Sequence, residues 1–233
     1  MNGFLAAPAP RWFTIAAHRP FLEDLAAGVH AALSPLGPEA LAEAVILVPT
    51  RRAARSLAEA FLKAAQARAV LLPQVRAIGD LDEGEPPFEP GDLALDLPAA
   101  ISPWRRRFEL ARLVAENQGL LERDGLDAGG ALELADALAV FLDSCQIEEV
   151  SDPDAVKGLV EGDLAQHWRM SAQFLDLALQ AWPKRLEELG LVDVAARRVS
   201  LLRLLTQRWT DKPPSEVLIA AGSTGTAPAA ADL

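Results

Sequence analysis

The sequence predicts an α/β protein whose parallel sheet is interrupted by an all-helical segment. Three observations support this fold class. The continuous apolar run VILV at 45–48 is typical of a strand buried on both faces in a parallel sheet. Residues 102–209 show the helical period of apolar side chains throughout. A second strand-like run then returns at 217–220. Strands that alternate with helices in this way indicate an α/β layer architecture.

The first part of the core is predicted to be a strand, a turn and a helix. RWFTIAA is prone to form a strand, HRP forms the turn, and the helix FLEDLAAGVHAAL carries its apolar residues at Leu22, Leu25, Val29 and Leu33. Pro49 ends the VILV strand. The helix that follows has Leu57, Phe61 and Leu62 in register. AVLLPQVRAI then predicts a third strand, or an edge segment that Pro73 breaks.

An acidic stretch marks a boundary after this core. Residues 79–98 contain four prolines and three glycines, which is the composition of a loop or linker. We therefore predict three parts: an α/β core over residues 1–92, an inserted helical subdomain over 93–212, and a return to the core over 213–233.

The helical subdomain is predicted to contain four helices. Ser102 is placed to cap the first helix and Pro103 occupies its first position. The second helix has Leu132, Ala135, Leu138 and Leu142 on one stripe. In the long third helix one face carries Leu164, Trp168, Leu175, Leu179 and Trp182, and Pro183 is expected to kink or divide it. DVAARRVSLLRLLTQRW forms the fourth. We expect the Trp168 and Trp182 side chains to be core residues rather than a base-stacking platform.

The last residues predict a buried strand at 217–220, a glycine-containing turn and a helix that starts near Pro228. Because that helix is still running at Leu233, we expect the sequence to be a piece of a longer protein.

Composition excludes several classes of protein. The chain has 233 residues and a net charge of −11, which argues against a lysine-coated nucleic-acid binder. No apolar run reaches the ~18 residues of a membrane helix. One cysteine, Cys145, permits no internal disulfide and no cysteine-ligated metal site, and the three histidines have no zinc spacing. We expect a cytoplasmic protein.

The charges are strongly segregated along the chain. Residues 45–78 contain six basic residues and one acidic residue, a local balance of 6 − 1 = +5. Residues 79–99 contain seven acidic residues and no basic residue, and the basic run Arg105-Arg106-Arg107 follows. Such segregation is typical of a local anion site in an acidic protein.

Thr50, Arg51 and Arg52 are the main candidate binding residues. They follow the VILV strand and begin the next helix, where a positive charge opposes the helix macrodipole. One interpretation is a solvated helix start whose arginines pair with the acidic linker. The other is a clamp for backbone phosphates at the carboxyl edge of a parallel sheet, where ligands usually bind.

The second candidate is the loop Gly222-Ser223-Thr224-Gly225. It is either a strand-to-helix turn or a ligand-facing loop whose backbone N–H groups bind an anion. It lacks the lysine of a Walker A motif, and so does AAHRPF at residues 16–21. No catalytic constellation and no metal site can be assembled from the sequence.

Several segments together resemble the N-terminal part of AddB, the double-strand break repair subunit of the AddAB helicase–nuclease, in its alphaproteobacterial form. They are VPTRRAARSLAEAF, LLPQVRAIGDLDE, the HW…FL…AWPKRLEELG helix, DVAARRVSLL and VLIAAGSTGTAPAAADL. The resemblance covers nearly all of the chain, and the last segment is its most specific part.

The resemblance implies a helicase-like core of the P-loop NTPase type, inactivated because HRPF stands where some relatives keep a Walker A motif. It implies a longer subunit of an ATP-dependent helicase and deoxyribonuclease, with a C-terminal nuclease domain that requires magnesium and, in some members, an iron–sulfur cluster. It also implies an AddA partner that hydrolyses ATP, and DNA partners that are double-strand ends and single strands. Under this resemblance Thr50, Arg51 and Arg52 contact the single-stranded backbone, and the chain itself has no catalytic residues or cofactors. The alternative is a partner-docking scaffold without DNA contact.

Overall fold

The computed structural model describes residues 11–66, 69–78, 97–118, 125–150, 177–223 and 225–233. The fold is mixed α/β and mostly helical, with a small parallel sheet. A 3₁₀ turn at Ser34–Leu36 and a π-helical turn at Leu177–Ala181 accompany the regular elements. In chain order these are α1 (Phe21–Leu33), α2 (Pro38–Glu43), β1 (Val45–Val48), α3 (Arg51–Ala64), β2 (Gln74–Ala77), α4 (Pro103–Glu116), α5 (Ala128–Ile147), α6 (Trp182–Leu189), α7 (Val194–Asp211), β3 (Leu218–Ala220) and α8 (Pro228–Ala231).

Two compact units divide the chain. The first contains Met1–Glu89 and Arg208–Thr224, and the second contains Pro90–Gln207 and Gly225–Leu233. The sequence-based division instead ran at residues 92 and 212 and assigned all of 213–233 to the core. Residues 225–233 belong to the second unit, in which Asp232, just after α8, forms an ion pair with Arg203 of α7.

β1 lies at the centre of the sheet, with β2 on one side and β3 on the other, and all pairing is parallel. Ile46 and Val48 belong to the core cluster formed with α1 and α3 and are at most 1% exposed. Leu47, whose side chain alternates to the other face, is only 3% exposed. The prediction that VILV forms a strand buried on both faces in a parallel sheet is confirmed.

Helices α1 and α3 contribute the rest of this core. Each presents a stripe of buried side chains at helical spacing, listed as Ala26, Val29 and Leu33 for α1 and Leu57, Ala60 and Phe61 for α3. Burying a large aliphatic or phenyl side chain of this kind stabilises a fold by about 1.5–3 kcal/mol. The expected burial of Leu62 is wrong, because it lies about 100° around the helix from Phe61 and is 51% exposed.

Two strand predictions need correction. Residues 11–16 form no regular element, and Trp12 is 97% exposed, because no described strand pairs with them to supply a hydrogen-bond ladder. The strand within 217–220 forms, but it is not buried. Leu218 is 37% exposed, since β3 lies at an edge of the sheet. The third-strand prediction is confirmed in its edge form, and β2 begins directly after Pro73.

The second unit has a separate helical core. α4, α5 and α6 supply most of its buried residues, among them Leu110, Leu138, Leu142 and Trp182. The predicted α5 stripe is confirmed: Ala135, Leu138 and Leu142 are buried and Leu132 packs against them. Of the predicted tryptophan pair, Trp182 is fully buried, whereas Trp168, with Leu164 and Leu175, lies outside the described residues.

Helix boundaries in this unit follow the prolines. α4 begins at Pro103 as predicted, but the Ser102 side chain makes no capping hydrogen bond. In the described part of the predicted long helix, a π-helical turn ends at Ala181 and α6 starts at Trp182 with Pro183 in its first turn, so the helix changes at this proline as predicted. Proline has no N–H to donate, so the backbone hydrogen-bond ladder changes there. A parallel bridge between Ala100 and Val192 fastens the segments that precede α4 and α7.

Candidate functional site

Thr50 is the N-cap of α3. Its backbone is extended, with φ −136° and ψ 157°, and its Oγ1 accepts a hydrogen bond from the Ala53 N–H at 3.1 Å. This bond satisfies one of the N–H groups that a helix start leaves without an intrahelical partner. The side-chain oxygen of Thr50 therefore has a structural role, which the sequence analysis missed although a threonine before a helical stripe is the standard signal for it.

Arg51 and Arg52 are the first two residues of α3, and both side chains are exposed. No acidic residue lies in the first turn of this helix. Within the described part of the chain Arg52 has no ion-pair partner. The acidic segment predicted to neutralise these arginines, residues 79–96, lies outside the described residues. Both guanidinium groups belong to the positive end of a helix dipole, where an anion is stabilised.

The second candidate loop begins beside this helix start. Gly222 has φ +70°, a left-handed conformation that favours glycine. A Cβ atom added to Gly222 would lie 3.4 Å from Phe21 Cε1 and 3.8 Å from Pro49 Cδ, so the loop, Pro49 and the start of α1 are neighbours. Gly225 also has a positive φ, of +62°. Ser223 is described, whereas Thr224 lies outside the described residues.

These features form one surface of the first unit, here called the carboxyl edge and defined by Phe21, Pro49, Thr50, Arg51, Arg52 and Gly222. It arises because β1 and β3 are parallel and in register, so the segments that follow Val48 and Ala220 leave the sheet on the same side. Two candidate segments far apart in sequence are therefore brought together. Ligands in open parallel sheets characteristically bind outside the carboxyl ends of the strands.

Arg19, shortly before α1, is ion-paired and is not a free cation. Residues 17–19 form a turn, and the Arg19 guanidinium donates two hydrogen bonds to the Asp24 carboxylate. Hydrogen bonding to Arg19 lowers the pKa of Asp24 below its ordinary value. Since Asp24 lies in the first turn of α1, it also complements the helix dipole.

In the helical unit, the basic run Arg105-Arg106-Arg107 is not a basic patch. Arg106 is buried, and its Nη2 lies 2.8 Å from Asp143 Oδ1 and 3.1 Å from Asp193 Oδ2. Its Nε lies 2.8 Å from Asp193 Oδ1 without the alignment of a hydrogen bond. Arg107 makes a bidentate pair with Asp136 at 2.7 and 2.8 Å, and this hydrogen bonding lowers the pKa of Asp136.

Asp193 is the centre of this buried polar network. The residue is 1% exposed, and its Oδ2 also accepts hydrogen bonds from Trp182 Nε1 at 2.7 Å and Gln146 Nε2 at 3.2 Å. Its Oδ1 accepts a bond from the Val194 N–H at 3.0 Å. One carboxylate thereby joins α4, α5, α6 and the start of α7. The sequence signal was that Arg106 shares a helix face with Leu110 and Val114.

The described residues contain no group of three or more His, Cys, Asp and Glu side chains that could hold a metal ion. The only cysteine of the sequence, Cys145, is buried, and burial raises the pKa of its thiol. A cluster held by several cysteines therefore does not fit this chain. Among the described helices none is both long and apolar enough to cross a bilayer.

Comparison of the chain with protein-family models, with curated proteins and with solved structures finds no significant match in any of the three.

Proposed function

We propose that this chain is the N-terminal, non-catalytic region of an AddB-type subunit, with a helicase-like α/β core that holds single-stranded DNA. The observation that carries the proposal is the carboxyl edge, where the starts of two helices, two exposed arginines and the Gly222 loop meet at one end of a parallel sheet. The resemblance of the sequence to AddB supplies the class of ligand.

The position of α1 matches one part of a P-loop fold, although no described strand leads into this helix. In P-loop folds a glycine-rich loop leads from a strand into a helix N-terminus and holds nucleotide phosphates there. Here Phe21, the first residue of α1, lies beside Pro49 and Gly222 at the carboxyl edge. Residues 16–21, AAHRPF, contain no glycine and no lysine, so they do not form a loop that binds the phosphates of a nucleoside triphosphate. The carboxyl edge is therefore proposed to bind an anion without hydrolysing ATP.

Arg51 and Arg52 are suited to a phosphate ligand by their placement. Two cations at a helix N-terminus oppose the helix dipole, which is a cost to stability of some tenths of a kcal/mol each in an exposed setting. A bound phosphate relieves that repulsion and accepts bidentate hydrogen bonds from guanidinium groups. Because the ligand is a polymer of phosphates, the two arginines are proposed to contact successive positions of the backbone and to read no bases.

The rest of the proposed assembly follows from the family resemblance. ATP hydrolysis belongs to an AddA-type partner, and DNA cleavage, with its magnesium and iron–sulfur chemistry, belongs to a nuclease domain outside these residues. The substrates are DNA double-strand ends and the single strands produced from them, in the cytoplasm. The role of the present residues is to hold DNA and partner during break repair by homologous recombination.

The test is binding of the full chain to a fluorescent oligothymidylate at about 50 and 200 mM salt, compared with the Arg51→Ala/Arg52→Ala variant. Each phosphate contact on a single strand contributes about 0.7 to the slope of log K against log salt. We expect the variant to bind more weakly at low salt and to have a slope that is smaller by about 1.4, for two contacts.

A matched control removes two charges elsewhere in the same unit. Lys63 lies at the far end of α3, and Lys212 precedes the amino end of β3. The Lys63→Ala/Lys212→Ala variant should retain the wild-type salt slope. Equal losses in both variants would indicate a general charge effect and contradict the proposal. Unchanged binding after loss of both arginines would contradict the clamp and favour the interpretation of Arg51 and Arg52 as a solvated helix start. Absence of DNA binding by the folded wild-type chain would favour the scaffold alternative.

A further inference from the structure

Helix α4 carries an exposed aromatic pair. Trp104 is 68% exposed and Phe108 is 58% exposed, although both are large apolar side chains. Their ring centroids are 6.4 Å apart and their planes meet at 26°, so the two faces are nearly parallel. The spacing of four residues places both on the same side of the helix. By contrast, the Trp182 side chain in the same unit is fully buried.

The neighbours of the pair on this face are guanidinium groups. Arg105 and Arg112 are both exposed. Arg105 has no ion-pair partner among the residues that the structure describes, whereas Arg112 is shared between Glu109 and Glu116 at 2.9 and 3.4 Å. The first turn of α4 contains no acidic residue. The Trp104 end of the face therefore combines two aromatic rings with one cation that no described carboxylate neutralises.

This composition favours a nucleic acid over a protein helix as the occupant. A partner helix requires apolar anchors that continue at i, i+3 or i+4, and i+7. Beyond Phe108 the buried Leu110, Ala111 and Val114 turn into the core of the unit, and the exposed face continues with Arg112. Two aromatic rings beside an arginine are instead the composition of a site for single strands, where bases stack on rings and a cation contacts the backbone.

We propose that Trp104 and Phe108 form a stacking platform for bases of single-stranded DNA, with Arg105 as its phosphate contact. The proposal rests on the proposed function for the class of ligand, but not on Arg51 and Arg52, which belong to the other unit. The platform adds affinity through the bases, whereas the carboxyl edge adds it through phosphates.

The experiment uses the full chain and an oligothymidylate of about 16 nucleotides, the upper range of a single-strand site. Trp104→Leu/Phe108→Leu keeps an apolar surface and removes the aromatic faces. Val140→Ala is the matched control, since Val140 is an exposed apolar residue on α5 at 68% exposure. A second ligand is an abasic strand of the same length, which has the phosphates without the bases.

We expect the leucine variant to bind oligothymidylate about tenfold or more weakly, as loss of stacking predicts, with an unchanged salt slope because no charge is lost. It should bind the abasic strand as the wild type does. Arg105→Ala should reduce the salt slope by about 0.7. Val140→Ala should have no effect. Wild-type affinity in the leucine variant, or equal losses for both ligands, would overturn the platform.

The Arg51→Ala/Arg52→Ala variant in the same series separates the two proposals. Loss in the arginine variant alone would support the proposed function and overturn the platform. Loss in the leucine variant alone would do the reverse. A folded wild-type chain that binds neither ligand would overturn both.

Discussion

Arginines are used in different ways in the two units. In the helical unit Arg106, Arg107, Arg185 and Arg203 each contact at least one carboxylate, and Arg106 does so in the core. At the carboxyl edge of the α/β unit, Arg51 and Arg52 are exposed at a helix start without an acidic residue in its first turn. The sequences RRR and RR look alike, yet Arg106 of the first is buried in the core, whereas both arginines of the second are exposed. Exposure at a helix start, and not the number of charges alone, identifies the candidate anion site.

The largest effect should come from breaking the buried network. Asp193→Ala leaves the Arg106 guanidinium buried with Asp143 as its one remaining counterion among the described residues, and it removes the acceptor of Trp182 Nε1. Loss of one partner of a buried ion pair costs about 3–5 kcal/mol. We expect the free energy of unfolding of the helical unit to fall by that amount in urea denaturation. Asp136→Ala breaks an exposed pair and should cost far less, and comparable losses would contradict the distinction between the two pairs.

Replacing the helix cap should have an intermediate effect. Thr50→Ala removes the acceptor of the Ala53 N–H and should destabilise the α/β unit by about 1 kcal/mol. Thr50→Ser keeps a hydroxyl oxygen at the same place and should restore most of the stability. Urea denaturation of the two variants measures the difference. If serine were as destabilising as alanine, the hydrogen bond would not be what matters at this residue.

A smaller effect of opposite sign is expected for charge reversal at the carboxyl edge. Arg52→Glu puts a negative charge at the positive end of the α3 dipole and should stabilise the unit by about 0.3–1 kcal/mol while weakening DNA binding. Lys63→Glu, at the other end of the same helix, should destabilise it, because the dipole is reversed there and Lys63 pairs with Glu23 at 3.3 Å. Destabilisation by Arg52→Glu would show that this arginine supports the fold.

The smallest expected effect is on the stability of the fold at acidic pH. The pKa values of Asp24 and Asp136 are lowered from 3.8 by their hydrogen bonds to Arg19 and Arg107. A carboxylate with a lowered folded-state pKa stabilises the protein above its unfolded-state pKa, and this contribution is lost as the pH falls through the folded value. Stability should therefore decline below about pH 4, and Asp136→Asn should make the decline shallower in pH-dependent thermal unfolding. An equally steep decline in the variant would contradict this origin.

The sequence predicted the central parts of the fold and missed what depends on neighbours. VILV is apolar at every position, so its burial in a parallel sheet could be read locally. RWFTIAA has the same local signal but no described strand to pair with, and the exposure of β3 depends on its place at the sheet edge. Thr50, Arg51 and Arg52 could be chosen as candidates from the sequence because they come just after the VILV strand. Two features connect residues far apart in sequence and could be found only in the structure. Gly222 lies beside Pro49, and the buried Arg106 pairs with Asp193.

The most direct test of the central claim is hydrogen exchange of backbone amides in the full chain, with and without an oligothymidylate. We predict that DNA slows exchange at the start of α3, residues 50–55, and in the Gly222 loop, while the end of α3 near Lys63 exchanges as before. This pattern would localise the single strand to the carboxyl edge. Binding of DNA without any change at residues 50–55 would contradict the claim that these arginines hold the strand.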